Sequence, residues 1–200
     1  MRILLAAPDR DFLECYQKLL ESELGETVTA FDGTQVLYLL SSEQFDIVVL
    51  DSGIPRIDCR QLVSRTREQG LPVIVLINEP ISVKRLSETP PANDYFTYPF
   101  NSSGLVEIIK NTLEKVQNGG QMTVCGRDID VSAFRITGGP YLTGGEIDVL
   151  KALTRGGRVT DSQGACVSAL NRKLLETGSR AKIRYRTGKG FELVNEDEQS

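Results

Sequence analysis

Five short apolar runs set the terms on which this chain can fold. They are RILLAA (2–7), TVTAF (27–31), FDIVVLD (45–51), PVIVLI (72–77) and DYFT (94–97). Most of them are apolar throughout rather than at every second position, the mark of strands covered on both faces. Between the runs the spacing becomes that of amphipathic helices. From Asp9 onward, Phe12, Tyr16, Leu19 and Leu20 share one face, and further helices are expected near 34–43 and 58–69. A last one carries Leu105, Ile108, Ile109, Leu113 and Val116. Strands alternating with helices predict an α/β fold, a doubly wound five-stranded parallel sheet. Ligand and catalytic groups of such sheets lie beyond the carboxyl ends of the strands. Asp51 ends the third run and occupies such a place.

The texture changes after residue 117. VQNGGQ (116–121) is Gly-rich and reads as a break, with a linker at 118–121. Residues 122–142 form short alternating segments with turns at Cys125-Gly126 and Gly138-Gly139-Pro140, which predicts a small antiparallel sheet. A helix is expected over 143–155, with Ile147, Leu150 and Leu153 inward. A second is expected from about Ser162 to Glu176, with Val167, Leu170 and Leu174 inward. KIRYR-TGKG-FELV (182–194) reads as a hairpin with Ile183 and Tyr185 inward and Lys182, Arg184 and Arg186 toward solvent. The expected organisation is therefore a first domain over 1–117, a small α+β domain over 122–195 and a frayed tail at 196–200.

Composition removes several classes of chemistry. The chain has no histidine, which excludes a Ser-His-Asp triad and the commonest general base. Its four cysteines, Cys15, Cys59, Cys125 and Cys166, form no C-x-x-C, and a zinc site lacks ligands. No enzyme activity is expected. Free thiols suit a reducing cytoplasm. The apolar stretch of MRILLAAPDRD is too short for a signal peptide, and no run approaches a membrane span. A cytoplasmic protein with no membrane partner is the expectation.

The net charge of −4 conceals an asymmetry. Residues 1–120 carry 11 Lys or Arg against 17 Asp or Glu, and residues 121–200 carry 12 against 10. Seven cations fall between 172 and 189 (Arg172, Lys173, Arg180, Lys182, Arg184, Arg186 and Lys189) with Glu176 the one acid. An acidic first half joined to a locally basic second half points to a regulatory module coupled to one that binds a polyanion.

Five segments in order and at the right spacing carry a family resemblance. FDIVVLDSGIP (45–55) resembles the phosphoacceptor segment of a receiver domain, and ANDYFTYPF (92–100) its last strand with the following X-Pro-Phe. LTGGEIDVL (142–150) resembles the L-T-x-x-E opening of a winged helix, SALNRKL (168–174) its recognition helix and IRYRTGKGFEL (183–193) its wing. The chain thus resembles an OmpR/PhoB-type response regulator over nearly its whole length. The fold this implies is a flavodoxin-like receiver followed by a winged-helix DNA-binding domain.

The resemblance also shows where the chain departs. A receiver needs an aspartate nucleophile, which falls on Asp51, and acidic partners for Mg²⁺. The acid pair falls on Ala7 and Pro8, leaving Asp9 one position later as the nearest carboxylate. The hydroxyl position holds Ile77 and the lysine position Tyr98, which precedes Pro99 in a bond that is typically cis in the family. The expectation is a degenerate receiver in which Asp51 is inactive as phosphoacceptor. No cofactor is expected beyond weak Mg²⁺ binding near Asp9 and Asp51, and a cognate histidine kinase is doubtful. Pro90-Pro91 shortens the helix expected at 81–87, part of the family's dimer face, where Lys84, Arg85, Asp94, Glu107 and Lys110 could pair across a two-fold axis. GGRVTDSQ (156–163) leaves little room for the helix that braces the recognition helix.

DNA contacts are expected from Arg172, Lys173, Arg184, Arg186 and Lys189 to phosphate, with Ser168 and Asn171 reading bases. Thr187 stands where the family has its groove arginine. The expected function is a DNA-binding transcriptional regulator that works without phosphorylation, as a homodimer. The alternative is a protein-interaction adaptor in which both domains have lost their chemistry. A flavin- or nucleotide-binding enzyme on the same sheet would need a Gly-rich turn after the first strand, which AAPDRD does not offer.

Overall fold

A computed structural model describes residues 1–77, 92–98, 101–124, 127–155, 159, 163–179, 181–186 and 190–195. The chain divides into two compact units, Met1–Glu114 and Lys115–Ser200. In the first, β1 (Arg2–Ala6), β2 (Glu26–Ala30), β3 (Ile47–Asp51), β4 (Val73–Ile77) and β5 (Asp94–Thr97) form one sheet in the order β2-β1-β3-β4-β5. All four neighbouring pairs are parallel. The helices are α1 (Arg10–Glu23), α2 (Gly33–Ser42), α3 (Cys59–Glu68) and α4 (Ser102–Asn118).

The alternation of side chains along each strand sorts the core into two layers. Leu4 and Ala6 of β1, Val48 and Leu50 of β3, and Val73, Val75 and Ile77 of β4 pack with α2 and α3 through Val36, Leu40, Leu62 and Val63. The intervening Ile3, Leu5, Ile47, Val49, Ile74 and Leu76 pack with α1 and α4 through Leu13, Leu20, Leu105 and Ile109. Every residue of β3 and β4 is buried, the polar Asp51 at the end of β3 included. This is the expected doubly wound α/β sheet. Each expected strand is present, the first ending at Ala6 rather than residue 7.

Three aspartates open the helices. Asp9, Asp32 and Asp58 accept hydrogen bonds from first-turn amides of α1, α2 and α3. Asp32 also ion-pairs with Arg56, whose φ of 73° bends the loop after Asp51 back toward α2. Gly33 donates to the Pro55 carbonyl at 3.0 Å, and a Cβ at Gly33 would meet Ile57 Cβ at 2.6 Å. Glycine is therefore what lets this loop lie on the α2 terminus.

In the second unit β6 (Gln121–Val124), β7 (Arg127–Asp130) and β8 (Arg135–Ile136) form an antiparallel sheet. Then come α5 (Gly144–Thr154), α6 (Gly164–Glu176) and the antiparallel hairpin β9 (Ala181–Arg186) and β10 (Gly190–Asn195). Phe134, Ile147, Leu150, Val167, Leu170, Leu174 and Ile183 share its core. The small α+β arrangement agrees with the sequence reading.

Several details differ from it. Around the Gly-rich stretch, α4 continues to Asn118 and β6 begins at Gln121. Gly119 lies so close to the backbone at Lys115, Val131 and Ser132 that a Cβ would fall within 2.9 Å of each, so it is a packed turn. Tyr185 is not inward but 62% exposed, with its ring edge-on to Phe191 at 5.4 Å. The helix expected at 81–87, Lys84 and Arg85 within it, lies outside the described residues. So do the Cys125-Gly126 turn, most of 156–162, Thr187, Lys189 and the tail at 196–200.

Candidate functional site

Asp51 is the last residue of β3, where the backbone leaves the sheet, and the residue is only 6% exposed. A buried carboxylate is costly unless donors surround it. Among the described residues two do. The Gly53 amide donates to Oδ1 at 2.7 Å, and the Tyr98 hydroxyl donates to Oδ2 at 3.1 Å. Tyr98 follows β5, and its own amide donates to the Ile77 carbonyl at 2.9 Å. Its ring meets Phe12 edge-on at 5.8 Å, and Phe12 stacks with Tyr16 at 4.4 Å. Burial, and then the Asp51 charge, push the Tyr98 hydroxyl well above its ordinary range, so the phenol keeps its proton and remains a donor.

The residues that the resemblance sets at the other receiver positions are Ala7, Pro8, Asp9 and Ile77. Ala7 and Ile77 are buried, apolar and unable to bind an ion or an oxygen. Pro8 offers no side-chain ligand. Asp9 is exposed at the start of α1, and its Oδ1 accepts the Phe12 amide at 3.1 Å. Among the described residues no group of three or more acids, cysteines or histidines converges on a metal position. Asp51 and Asp9 are the two carboxylates beside Tyr98, and a Mg²⁺ ion takes one or two carboxylates in an octahedral oxygen shell. Cys59, at the start of α3, feels Asp51 as well: burial first, then Asp58 and Asp51, push its thiol up to about 12. It stays protonated and weakly nucleophilic at neutral pH.

In the second unit, the candidate DNA-contacting residues separate into two sets. Ser168, Arg172, Arg184 and Arg186 are exposed. Ser168 Oγ donates back to the Gly164 carbonyl, Arg172 lies 3.8 Å from Glu176, and Arg186 lies 3.5 Å from Glu192. Asn171 and Lys173 have other duties. Both ends of the Asn171 carboxamide are used on β9, accepting from the Ile183 amide at 2.7 Å and donating to its carbonyl at 2.9 Å. A side chain so clasped has no edge left for adenine. Lys173 is 12% exposed and reaches both oxygens of Glu146, itself 2% exposed, at 2.8 and 2.7 Å. Reading it as a phosphate contact is corrected: it neutralises a buried acid.

Sequence inspection missed this pair because Glu146 has a second, local role. With Thr143 it forms a reciprocal capping box at the start of α5. The signal was available in LTGGEIDVL, since an acid three residues into an apolar helix needs a partner. On the proposed dimer face, Glu107 and Lys110 are exposed on α4, whereas Asp94 is half-buried and its Oδ1 accepts the amide of Tyr95.

Known proteins place this geometry in a family. Residues 3–110 match the response regulator receiver domain, more than half of the chain. The chain belongs to that family. It is 33% identical over 118 residues to the transcriptional regulatory protein TctD of Salmonella typhimurium, covering 58% of this chain and 53% of that one. It is 24% identical over 152 residues to the response regulator ArlR of Staphylococcus aureus, covering 75% and 68%. The chain spans about half the length of TctD and of several other curated relatives that it matches. Among solved structures, the response regulator TrrA of Thermotoga maritima in complex with Mg²⁺-BeF superposes with a TM-score of 0.50. That match is 26% identical and covers 56% of this chain and 97% of that one. No helix of the described residues is long and apolar enough to cross a membrane.

The Lys173–Glu146 pair generates a direct test. Lys173→Ala leaves a buried carboxylate without its cation and should destabilise the protein by about 3–5 kcal/mol. Thermal denaturation reads this. A lysine that served only as a phosphate contact would leave the melting temperature unchanged.

Proposed function

We propose that this chain is a DNA-binding transcriptional regulator whose receiver half works without phosphorylation. The observation that carries the second part is the hydrogen bond from Tyr98 to Asp51. In a working receiver the nucleophilic carboxylate faces an ion that neutralises the incoming phosphoryl group, and electrostatic stabilisation is most of what the site contributes. Here Ala7 and Pro8 replace the acid pair, Ile77 replaces the hydroxyl, and a neutral phenol replaces the lysine cation. Asp9 and Asp51 remain as a weak Mg²⁺ site at most. Without differential contacts to a phosphoryl group, phosphorylation has nothing with which to shift a population.

DNA binding is supported by the likeness to TctD, a transcriptional regulatory protein, and by the order α5, α6, β9–β10, which we read as a winged helix. Arg172, Arg184 and Arg186 are the cations we assign to phosphate, with Lys189 beside them in sequence and Ser168 facing bases. The adaptor reading gains from one observation: Asn171 and Lys173, both on the proposed recognition helix, are consumed by internal contacts. We further propose a homodimer through the surface that includes Glu107 and Lys110.

Three outcomes test these statements. Incubation with acetyl phosphate and Mg²⁺ should add no stoichiometric phosphate by intact mass. Stoichiometric addition at Asp51 accompanied by tighter DNA binding would refute phosphorylation independence. Binding to duplex DNA should weaken steeply as salt rises, and Arg172→Ala or Arg186→Ala should each shallow the log–log slope by about one. A wild type that does not bind DNA at low salt makes the adaptor the better reading. Sedimentation at tens of micromolar should give a dimer, weakened by Lys110→Glu, and a monomeric wild type would remove that surface as an interface.

A further inference from the structure

Asp51 and Tyr98 lie at the carboxyl ends of β3 and β5, two strands that do not touch. β4 separates them, pairing Leu76 with Asp51 on one side and with Phe96 on the other. Two strand spacings amount to about 9–10 Å. The Tyr98 side chain crosses that gap beyond the end of β4 and joins the two strand ends by its hydrogen bond to Asp51 Oδ2. Ile77, beneath it at the end of β4, supplies only its carbonyl, to the Tyr98 amide.

The crossing is braced from a third element. Asp9 caps α1 on the Phe12 amide, and the Phe12 ring meets the Tyr98 ring edge-on. On the far side the Gly53 amide holds the other oxygen of the same carboxylate. The loop after Asp51 is in turn fixed to α2 by Gly33, Asp32 and Arg56.

We propose that the Tyr98 hydroxyl is a built-in substitute for a phosphoryl ligand. It ties the end of β5 to Asp51 directly, so the receiver unit is held in one state with nothing bound. Tyr98 is thus a positioning residue. The inference rests on the phosphorylation-independent reading given above and deepens it, because it names the contact that replaces the modification.

The tie can be read without DNA and without any phosphoryl donor. Amide hydrogen exchange of the full-length protein reports on Ser52, Gly53 and Tyr98, whose N–H groups flank it. Tyr98→Phe keeps the ring against Phe12 and removes only the hydroxyl, and it should speed exchange at these amides about tenfold. Asp51→Ala removes the acceptor of both the Tyr98 hydroxyl and the Gly53 amide, so it should match Tyr98→Phe at the Tyr98 amide and exceed it at Gly53. At the Tyr98 amide the double variant should exchange no faster than either single one, since there both variants break the same bond. Asp51→Asn should stay within about twofold of wild type, because a carboxamide still offers the hydroxyl a partner.

That last variant separates the tie from phosphorylation, for which a carboxamide is no nucleophile. If Tyr98→Phe exchanges like wild type, or Asp51→Asn exchanges as fast as Asp51→Ala, the tie does not hold the site and the proposal fails. Phosphate addition in the acetyl phosphate experiment would instead overturn the phosphorylation-independent reading. The exchange data, taken with no donor present, would stand apart from that result.

Discussion

Burial of the central strands on both faces is the constraint from which the receiver unit follows. β3 and β4 have no exposed residue, so neither face can carry polar chemistry. Polar groups are confined to the strand ends, where the backbone turns out of the sheet. Asp51, Tyr98 and Asp9 all stand at one such end, each just before or after a strand or helix boundary. The apolar alternation that fills two layers thus also decides where a switch can be located.

The second recurring element is the buried acid. Asp51 and Glu146 are both nearly inaccessible, and each is kept by donors from another part of the chain. Asp51 takes a neutral phenol and a backbone amide. Glu146 takes the Lys173 ammonium together with its own helix cap. An unpaired carboxylate in either place would cost several kcal/mol, comparable to the net stability of a domain. These pairs therefore constrain which arrangements of the elements are tolerable. The Glu146 pair also withdraws Lys173 from the surface, as the Ile183 backbone withdraws Asn171, leaving Arg172, Arg184 and Arg186 exposed.

Most of the architecture was legible beforehand. Apolar runs and helical spacing placed the five strands of the parallel sheet to within about two residues and anticipated the helices, and the ordered motifs carried the receiver resemblance. The misjudgements have local causes. Tyr185 continues the inward row of Ile183, yet its ring stands edge-on to its cross-strand neighbour Phe191 and stays 62% exposed. The Gly119-Gly120 break looks like a linker by composition, yet close backbone packing is another use of glycine, and here it permits a tight turn. Lys173 sits in a basic run, and charge counting cannot see that its partner is 27 residues away.

The amino-acid sequence alone determined the sheet, the helices and the identity of the residues at each receiver position. These depend on local periodicity and on the order of motifs, both of which are written along the chain. It also carries Ala7 and Pro8, Ile77 and Tyr98 where the resemblance expects an acid pair, a hydroxyl and a lysine. What Tyr98 does in place of the lysine was decided only by tertiary structure. A hydrogen bond between the ends of two strands separated by a third depends on strand order, register and the packing of Phe12 behind the ring. No spacing in the sequence encodes that distance, because Asp51 and Tyr98 are 47 residues apart and meet only when the sheet is built.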